Sequence, residues 1–242
     1  MQESCARDSS SDLGEFRHFM LKEIFEQPQA ISNTLEGRLG ADQVLSCIQG
    51  ADAQSLLQQV EAIQFIACGT SYHAGLIGRH WIEELTGIPC GIEVASEYRY
   101  RRQPARNNLL VVTISQSGET ADTLAALDKV KSSGQCLATL AVCNVAESSL
   151  VRESDLSLMT LAGPEIGVAS TKAFTTQLVA LQLLAGLLLQ AKGGDVKLAK
   201  KLAGDLQQLP DLVEQVLKLN GTVEHLAERF LEKHHALYLG RW

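Results

Sequence analysis

Residues 109–120 read LLVVTISQSGET, a β-rich apolar run that passes directly into a segment of hydroxyl groups and glycine. Such a nearly continuous apolar run, 109–115, is typical of a strand that is buried on both faces of a parallel sheet. Residues 63–71 have the same form and read IQFIACGTS. Two buried strands, each followed by a polar loop, indicate an α/β protein.

Five apolar runs of this kind alternate with helix-like segments along the chain. The predicted strands are 63–68, 90–95, 109–115, 136–143 and 156–161. Between the first two runs, Ile77, Trp81 and Leu85 recur at every fourth residue, which is the spacing of one helix face. This alternation predicts βαβ units and a three-layer α/β/α fold. We expect a five-stranded parallel sheet in the flavodoxin-like order 2-1-3-4-5.

The prediction divides the chain into four segments. They are a partly helical N-terminal extension at 1–57, an α/β domain at 58–194, a helical connector at 195–233, and a further segment at 234–242. Within the domain, a long leucine-rich helix is predicted at 172–191. The connector is expected to break at Pro210 and again at Asn220 and Gly221. Residues 235–239 look like a new strand, so we infer that 234–242 begin a second, similar unit of a longer chain.

Composition narrows the class of protein. The 242 residues are 45% hydrophobic and 20% charged, which is enough for a packed core. The formal charge of −7, without a cluster of Lys and Arg, disfavours nucleic acid. Residues 1–13 lack the apolar core of a signal peptide, and the apolar stretch 178–189 is too short to span a membrane. Six cysteines without a CxxC spacing fit a reduced, cytoplasmic compartment.

The loops after the first and third strands are the candidate site. In a doubly wound sheet, ligands bind beyond the carboxyl ends of the strands, where the strand order reverses. The candidate residues there are Thr70 and Ser71 in one loop and Ser115, Gln116, Ser117 and Thr120 in the other. Each loop opens a helix, whose first N–H groups carry a partial positive charge. The two loops therefore predict a site for an anion such as phosphate, held without Arg or Lys.

Helix capping is the alternative interpretation of these hydroxyl groups. Ser and Thr before a helix are most often N-caps, and this explains Ser71, Ser117 or Thr120 when each is taken singly. The placement of both loops at one crevice favours a shared ligand. For Ser170 and Thr171, a cap on the long helix is the favoured interpretation, with ligand contact as the second.

The sequence shows little sign of other chemistry. Ser117 does not lie in a nucleophile elbow, because the G-x-S-x-G motif requires glycine where Ser115 stands. Neither a P-loop nor a G-x-G-x-x-G motif occurs. His73 and His80 lie two helical turns apart, but no Cys or carboxylate spacing supports a metal site. Cys68 is interpreted as a small core residue. We therefore expect neither a metal nor a cofactor.

Several stretches of the chain match a known pattern. They read CGTSYHAG, SEYRYR, SQSGETADTL, NVAESSLVRESD and GVASTKAFTTQ, with KEIFEQP upstream and KHHALYLGR at the end. Over residues 14–241 they resemble the first sugar isomerase (SIS) domain in the isomerase half of the glucosamine-6-phosphate synthase family. The resemblance implies that the six crevice residues hold the phosphate and nearby sugar atoms of fructose 6-phosphate. It also implies that Val168 and Ser170 line the sugar.

The resemblance also implies what this chain lacks. In the family, a glutaminase domain with an N-terminal cysteine releases ammonia, whereas here Met1 is followed by Gln2. The isomerising glutamate, histidine and lysine of the family belong to a second SIS domain and a C-terminal tail, beyond Trp242. We therefore expect no catalytic residue in this fragment, which would bind fructose 6-phosphate or glucosamine 6-phosphate without converting it.

The expected partners follow from the same resemblance. They are the sugar phosphate, the missing glutaminase and second SIS domains, and a second copy of the chain in a homodimer. The alternative function is a stand-alone SIS-type sensor that binds a sugar phosphate and regulates another protein. The new strand expected at 235–239 favours the fragment of an enzyme over the sensor.

Overall fold

Five parallel strands form the centre of the molecule, in a computed structural model that describes residues 12–240. They are β1 (Ala62–Ala67), β2 (Cys90–Val94), β3 (Leu109–Ser115), β4 (Ala138–Cys143) and β5 (Leu156–Met159). Their order is β2-β1-β3-β4-β5, and every neighbouring pair is parallel. All residues of β1, β3, β4 and β5 are buried, as strands covered on both faces must be. The predicted fold class and strand order are confirmed.

Helices cover both faces of this sheet. They are α1 (Phe19–Phe25), α2 (Gln27–Leu35), α3 (Ala53–Gln59), α4 (Gly69–Thr86), α5 (Ala95–Tyr98), α6 (Ala121–Ser133), α7 (Ser149–Glu153), α8 (Lys172–Ala191), α9 (Val196–Leu217) and α10 (Asn220–Glu228). Helices α3, α4 and α8 lie on one face, and α5, α6 and α7 lie on the other. Helices α2 and α9 pack against the outside of α8. The part of the predicted extension at residues 1–11 lies outside the described residues.

Alternate side chains of β1 supply the two halves of the core. Phe65 is fully buried against the α4 and α8 layer, whereas Ile66 is fully buried on the α5 and α6 side. Burial of one such side chain contributes about 1.5–3 kcal/mol. Helix α8 has the bounds that the sequence predicts. It is long and apolar enough to cross a membrane, but most of its residues are buried in this layer.

The connector differs from its prediction at Pro210. Helix α9 continues through this residue, although a proline lacks the N–H that would bond to the Leu206 carbonyl. Leu206, which is buried, and Leu209 precede the proline, and Val213 follows it in the same cluster. Packing on both sides of Pro210 holds the helix together at this point. The chain breaks instead just before Asn220, which begins α10 rather than ending a helix.

The strand predicted at 235–239 does not form. Residues 235–240 are exposed and belong to no helix or strand within the described part of the chain. A strand exists only where a neighbour accepts and donates its backbone hydrogen bonds, and neither edge of the sheet pairs with this segment. Its assignment to a second α/β unit stays a prediction, as do the other domain boundaries, and residues 241–242 lie outside the described range.

A buried thiol, Cys90, and a half-buried one, Cys47, predict that the fold loses stability in alkali. Burial raises the pKa of Cys47 from 9.0 to about 11, and burial followed by the Glu83 carboxylate raises that of Cys90 to about 12. Above pH 9 the unfolded chain releases these protons while the folded chain keeps them, so the free energy of unfolding falls as pH rises. The fall approaches about 1.4 kcal/mol per pH unit for each thiol.

Urea unfolding at a series of pH values above 9 measures this slope. Cys90→Ala removes one of the two protons, so its slope should be shallower than that of the unchanged protein. Equal slopes for the two proteins would contradict a raised pKa at this thiol.

Candidate functional site

The two polar loops meet at one edge of the sheet. Ala67, the last residue of β1, pairs with Ile114 of β3. Cys68, which begins the loop after β1, therefore lies beside Ser115, the last residue of β3, at about the 4.8 Å spacing of neighbouring strands. The chain then continues to β2 on one side and to β4 on the other, so the strand order reverses at this point. The structure brings the two loops together, as the sequence predicts.

The loop after β1 leads straight into the first turn of α4. Ser71 is buried, and its hydroxyl oxygen accepts a hydrogen bond of 3.0 Å from the side-chain amide of Gln177 on α8. Thr70 is exposed, and its hydroxyl makes no hydrogen bond with any residue from 12 to 240. The N-cap residue of α4, Cys68, makes no capping hydrogen bond within residues 12–240, and the Ser71 hydroxyl bonds to Gln177, so the capping interpretation of Ser71 is wrong. The first N–H groups of α4 are therefore free of a side-chain cap at the crevice.

Hydroxyl groups brace the loop after β3 from within. The Ser115 hydroxyl accepts the Gly118 N–H at 3.0 Å and lies 3.3 Å from the Thr120 hydroxyl. The Ser117 hydroxyl accepts the Glu119 N–H at 3.2 Å. Thr120 occupies the N-cap position of α6, but its side chain makes no capping hydrogen bond. The hydroxyl groups of Ser117 and Thr120 therefore do not cap α6.

Gly118 is the residue that allows the β3 loop to turn. It has a φ of +69°, in the left-handed region, and it is buried. A Cβ there would collide with the Ser148 hydroxyl and would lie 2.8 Å from the Cys143 sulfur. The loop after β3 is thus packed directly against the loop after β4. Only glycine meets both requirements, because it has no Cβ to strain or to collide.

Gln116 is the second side chain at the crevice without a partner. It is half-buried, and its carboxamide makes no hydrogen bond with another residue in the range 12–240. Its backbone oxygen, by contrast, accepts the N–H of Asn144, 3.3 Å away. The backbone of the loop is therefore fixed while the carboxamide of Gln116 is available to a ligand.

The loop between β5 and α8 carries the other two candidates. The Ser170 hydroxyl donates to the Glu165 carboxylate at 3.1 Å, and no hydrogen bond of the described residues joins it to the crevice loops. Glu165 also accepts the N–H groups of Thr171 and Ala173. Glu165 thus caps α8, and the favoured interpretation of Ser170 and Thr171 as its caps is wrong. Val168 is fully exposed near the tip of this loop.

Asn144 is a site-shaping residue that sequence reasoning missed. Its side-chain oxygen accepts the Ala162 N–H at 2.7 Å, and its side-chain nitrogen donates to the Gly163 carbonyl at 2.7 Å. It therefore anchors the start of the β5–α8 loop. The signal was present in the sequence, because Asn144 follows a buried strand directly, as the crevice residues do.

Charged groups contribute little within the two crevice loops. Their one carboxylate is Glu119, which accepts the Ser149 N–H at 2.7 Å. The backbone N–H and side chain of Ser149 lower the pKa of this exposed carboxyl group. Cys68 is half-buried and packs against the core around Ile66. Among residues 12–240, no group of three or more His, Cys, Asp or Glu side chains is placed to hold a metal ion.

A separate cavity lies away from this edge. It has a volume of about 400 Å³. Its lining includes Tyr98, Lys129 and Cys136, together with Leu109, the first residue of β3. The amino ends of strands carry no open helix N-termini in a doubly wound sheet. The Lys129 ammonium donates to the backbone carbonyl of Tyr98 at 3.0 Å, so it is already bonded. This cavity is a weaker candidate for an anion than the crevice.

Comparison with known proteins gives a consistent result. A family model described as SIS domain matches residues 56–187. The chain is 56% identical over 239 residues to the glutamine–fructose-6-phosphate aminotransferase [isomerizing] of Yersinia pseudotuberculosis, covering 99% of the chain and 39% of the relative. The enzyme of the same name from Pseudomonas aeruginosa is 58% identical over 233 residues, covering 96% and 38%. The chain thus spans about two fifths of the length of these relatives.

A solved structure extends the comparison to the fold. It is the C-terminal domain of glucosamine-fructose-6-phosphate aminotransferase from Francisella tularensis, which matches with a TM-score of 0.91 and 43% sequence identity. The match covers 96% of this chain and 65% of that domain.

The packing around Gly118 predicts a large cost for Gly118→Ala. Gly134 is the matched control, because it has a similar φ of +62° but open space where a Cβ would lie. Gly134→Ala should lose about 1–2 kcal/mol from backbone strain alone. Gly118→Ala should lose a further 1–3 kcal/mol, roughly, from overpacking against Ser148 and Cys143. Urea unfolding measures both, and equal losses would contradict the close packing.

Proposed function

Because the chain belongs to the SIS domain family, we propose that the crevice between the loops after β1 and β3 binds the phosphate of a sugar phosphate. The observation that carries this proposal is the meeting of two helix N-termini without side-chain caps, those of α4 and α6, at adjacent strands. Each N-terminus carries roughly half a positive charge and several N–H donors. Such a pair attracts an anion without any lysine or arginine.

The side chains supply further donors to the same anion. The hydroxyl of Thr70 and the carboxamide of Gln116 have no partner among residues 12–240, so a ligand gains their hydrogen bonds without breaking others. Ser71, Ser115, Ser117 and Thr120 complete the phosphate side of the proposed site. A hydrogen bond to a charged group contributes about 1.5–3 kcal/mol, so a few of these are enough for binding.

The proposed sugar is fructose 6-phosphate or its product glucosamine 6-phosphate. The relatives that are 54–58% identical are named as glutamine–fructose-6-phosphate aminotransferases, which supports this choice. Val168 and Ser170 would line the sugar. The exposed side chain of Val168 offers an apolar surface to a sugar ring.

We propose that this chain is the sugar-phosphate-binding part of such an aminotransferase and does not convert its ligand alone. Isomerisation requires groups that move protons at the reacting carbons. The one carboxylate in the crevice loops, Glu119, is already bonded to Ser149 and has a lowered pKa. The proton-moving groups and the glutaminase would lie in the remaining three fifths of the relatives' length.

The surroundings of the protein are part of the same proposal. We expect a cytoplasmic protein that forms a homodimer and that associates with the glutaminase and second SIS domains of a parent chain. We propose no role for nucleic acid, a membrane or a cofactor. The identity to named aminotransferases over nearly the whole chain supports this function over a stand-alone sugar-phosphate sensor.

Thr70→Val tests the proposed phosphate site. The change removes a hydroxyl that bonds to nothing in the range 12–240, so the melting temperature without ligand should not move. The dissociation constant for fructose 6-phosphate, measured by titration calorimetry, should rise by about 10- to 100-fold. Thr222→Val is the matched control, because Thr222 is also exposed, also has no hydrogen bond from its hydroxyl to any described residue, and lies on α10.

Two results would count against the site, and a third against the claim that the chain only binds its ligand. The first is that fructose 6-phosphate at millimolar concentration gives neither heat nor a rise in melting temperature. A ligand at about 100 times its dissociation constant should stabilise the fold by about 2.7 kcal/mol. The second is equal binding by the Thr70→Val and Thr222→Val proteins. The third is turnover of fructose 6-phosphate by this chain alone, which would overturn the claim that it only binds.

A further inference from the structure

A carboxylate from outside the SIS-matched segment holds the tip of the β5–α8 loop. Glu23 lies on α1, well before residue 56, and is only 2% exposed. Its Oε1 accepts the backbone N–H of Ile166 at 2.5 Å and that of Gly167 at 3.0 Å. Its Oε2 lies 3.2 Å from the same Gly167 nitrogen. Charge-assisted bonds of this kind are roughly twice as strong as neutral ones, so this contact fixes the backbone of the loop.

Gly167 fits this carboxylate closely. A Cβ on Gly167 would collide with Oε2 of Glu23 and would lie 3.4 Å from the Cα of Met20. The φ of Gly167 is not in the left-handed region, so the backbone itself would accept another residue. Glycine is therefore required here by the approach of Glu23 and not by the conformation of the loop.

The N-terminal extension contacts both ends of the same loop. At its far end, the ammonium group of Lys172 is buried and lies 2.6 Å from the carboxylate of Glu26. At its near end, the guanidinium group of Arg38 donates to the Met159 carbonyl at 2.6 Å. The extension thus fixes the end of β5, the loop tip and the start of α8. The loop depends on residues that lie outside the SIS domain match.

We propose that Glu23 is a positioning residue that places the sugar-lining side of the crevice. This proposal rests on the proposed function. Val168 directly follows Gly167, so the bonds of Glu23 set where its side chain lies. Glu23 makes no hydrogen bond to the crevice loops at 69–71 and 115–120, which lie on the phosphate side. Glu23 therefore governs affinity for the sugar and leaves affinity for phosphate alone unchanged.

Glu23→Ala and Gly167→Ala test this from the two sides of the contact, in the full 242-residue chain. Titration calorimetry measures the dissociation constants of fructose 6-phosphate and of inorganic phosphate for each protein. Both variants should bind fructose 6-phosphate about tenfold more weakly or worse, with unchanged binding of inorganic phosphate. Glu23→Gln keeps one carbonyl acceptor and should retain part of the affinity. Glu36→Ala is the control, because Glu36 lies in the same extension but is exposed and unbonded within residues 12–240.

Hydrogen exchange of the Ile166 and Gly167 amides gives a readout that needs no ligand. Exchange should be faster in Glu23→Ala than in Glu36→Ala, and unchanged exchange overturns the positioning role. Equal dissociation constants for fructose 6-phosphate in the Glu23→Ala and Glu36→Ala proteins would also overturn the positioning role. The proposed function would still stand. Equal weakening of both ligands also overturns the positioning role, because that result indicates a general loss of structure. If the unchanged protein binds neither ligand, the proposed function fails and this inference fails with it.

Discussion

The parallel pairing of β1 with β3 is the constraint on which the site depends. It places the ends of two buried strands next to each other, and each strand passes at once into a loop that opens a helix. The strands can pair in this way because their side chains are apolar on both faces and are covered by a helical layer on each side. The positive ends of α4 and α6 then point to the same edge without any pairing of charged side chains.

The surrounding contacts keep this edge open and in place. Ser115 and Gly118 shape the β3 loop, and Gly118 packs on the loop after β4. Gln177 joins Ser71 to α8, whose own start is capped by Glu165. The hydroxyl groups at the two helix starts thus hold the loop structure or are left available. Because these hydroxyl groups do not cap the helices, the N–H groups at the helix starts form a candidate anion site.

Local pattern was sufficient for the sheet and for the crevice. The bounds of β3 and α8 agree with the sequence, because each is a long run with one clear periodicity. Strand β5 ends earlier than predicted, at Met159, since Leu161 takes a φ of +53° beside the residues that Asn144 holds. The break predicted at Pro210 is absent because the packing of Leu206 and Val213 outweighs the lost hydrogen bond. Glu23 could not be found from sequence, since its partners lie more than 140 residues away along the chain.

The most direct measurement of the central claim is a titration of the 15N-labelled chain with fructose 6-phosphate, followed by amide chemical shifts. If the phosphate lies between the two helix starts, the largest shifts will occur at the N–H groups of residues 69–71 and 116–123, with smaller shifts around Val168. Largest shifts around Tyr98, Lys129 and Cys136 would place the anion in the separate cavity and would contradict binding at the crevice. Amide chemical shifts that change with ionic strength but not with the concentration of fructose 6-phosphate would contradict binding at the crevice as well.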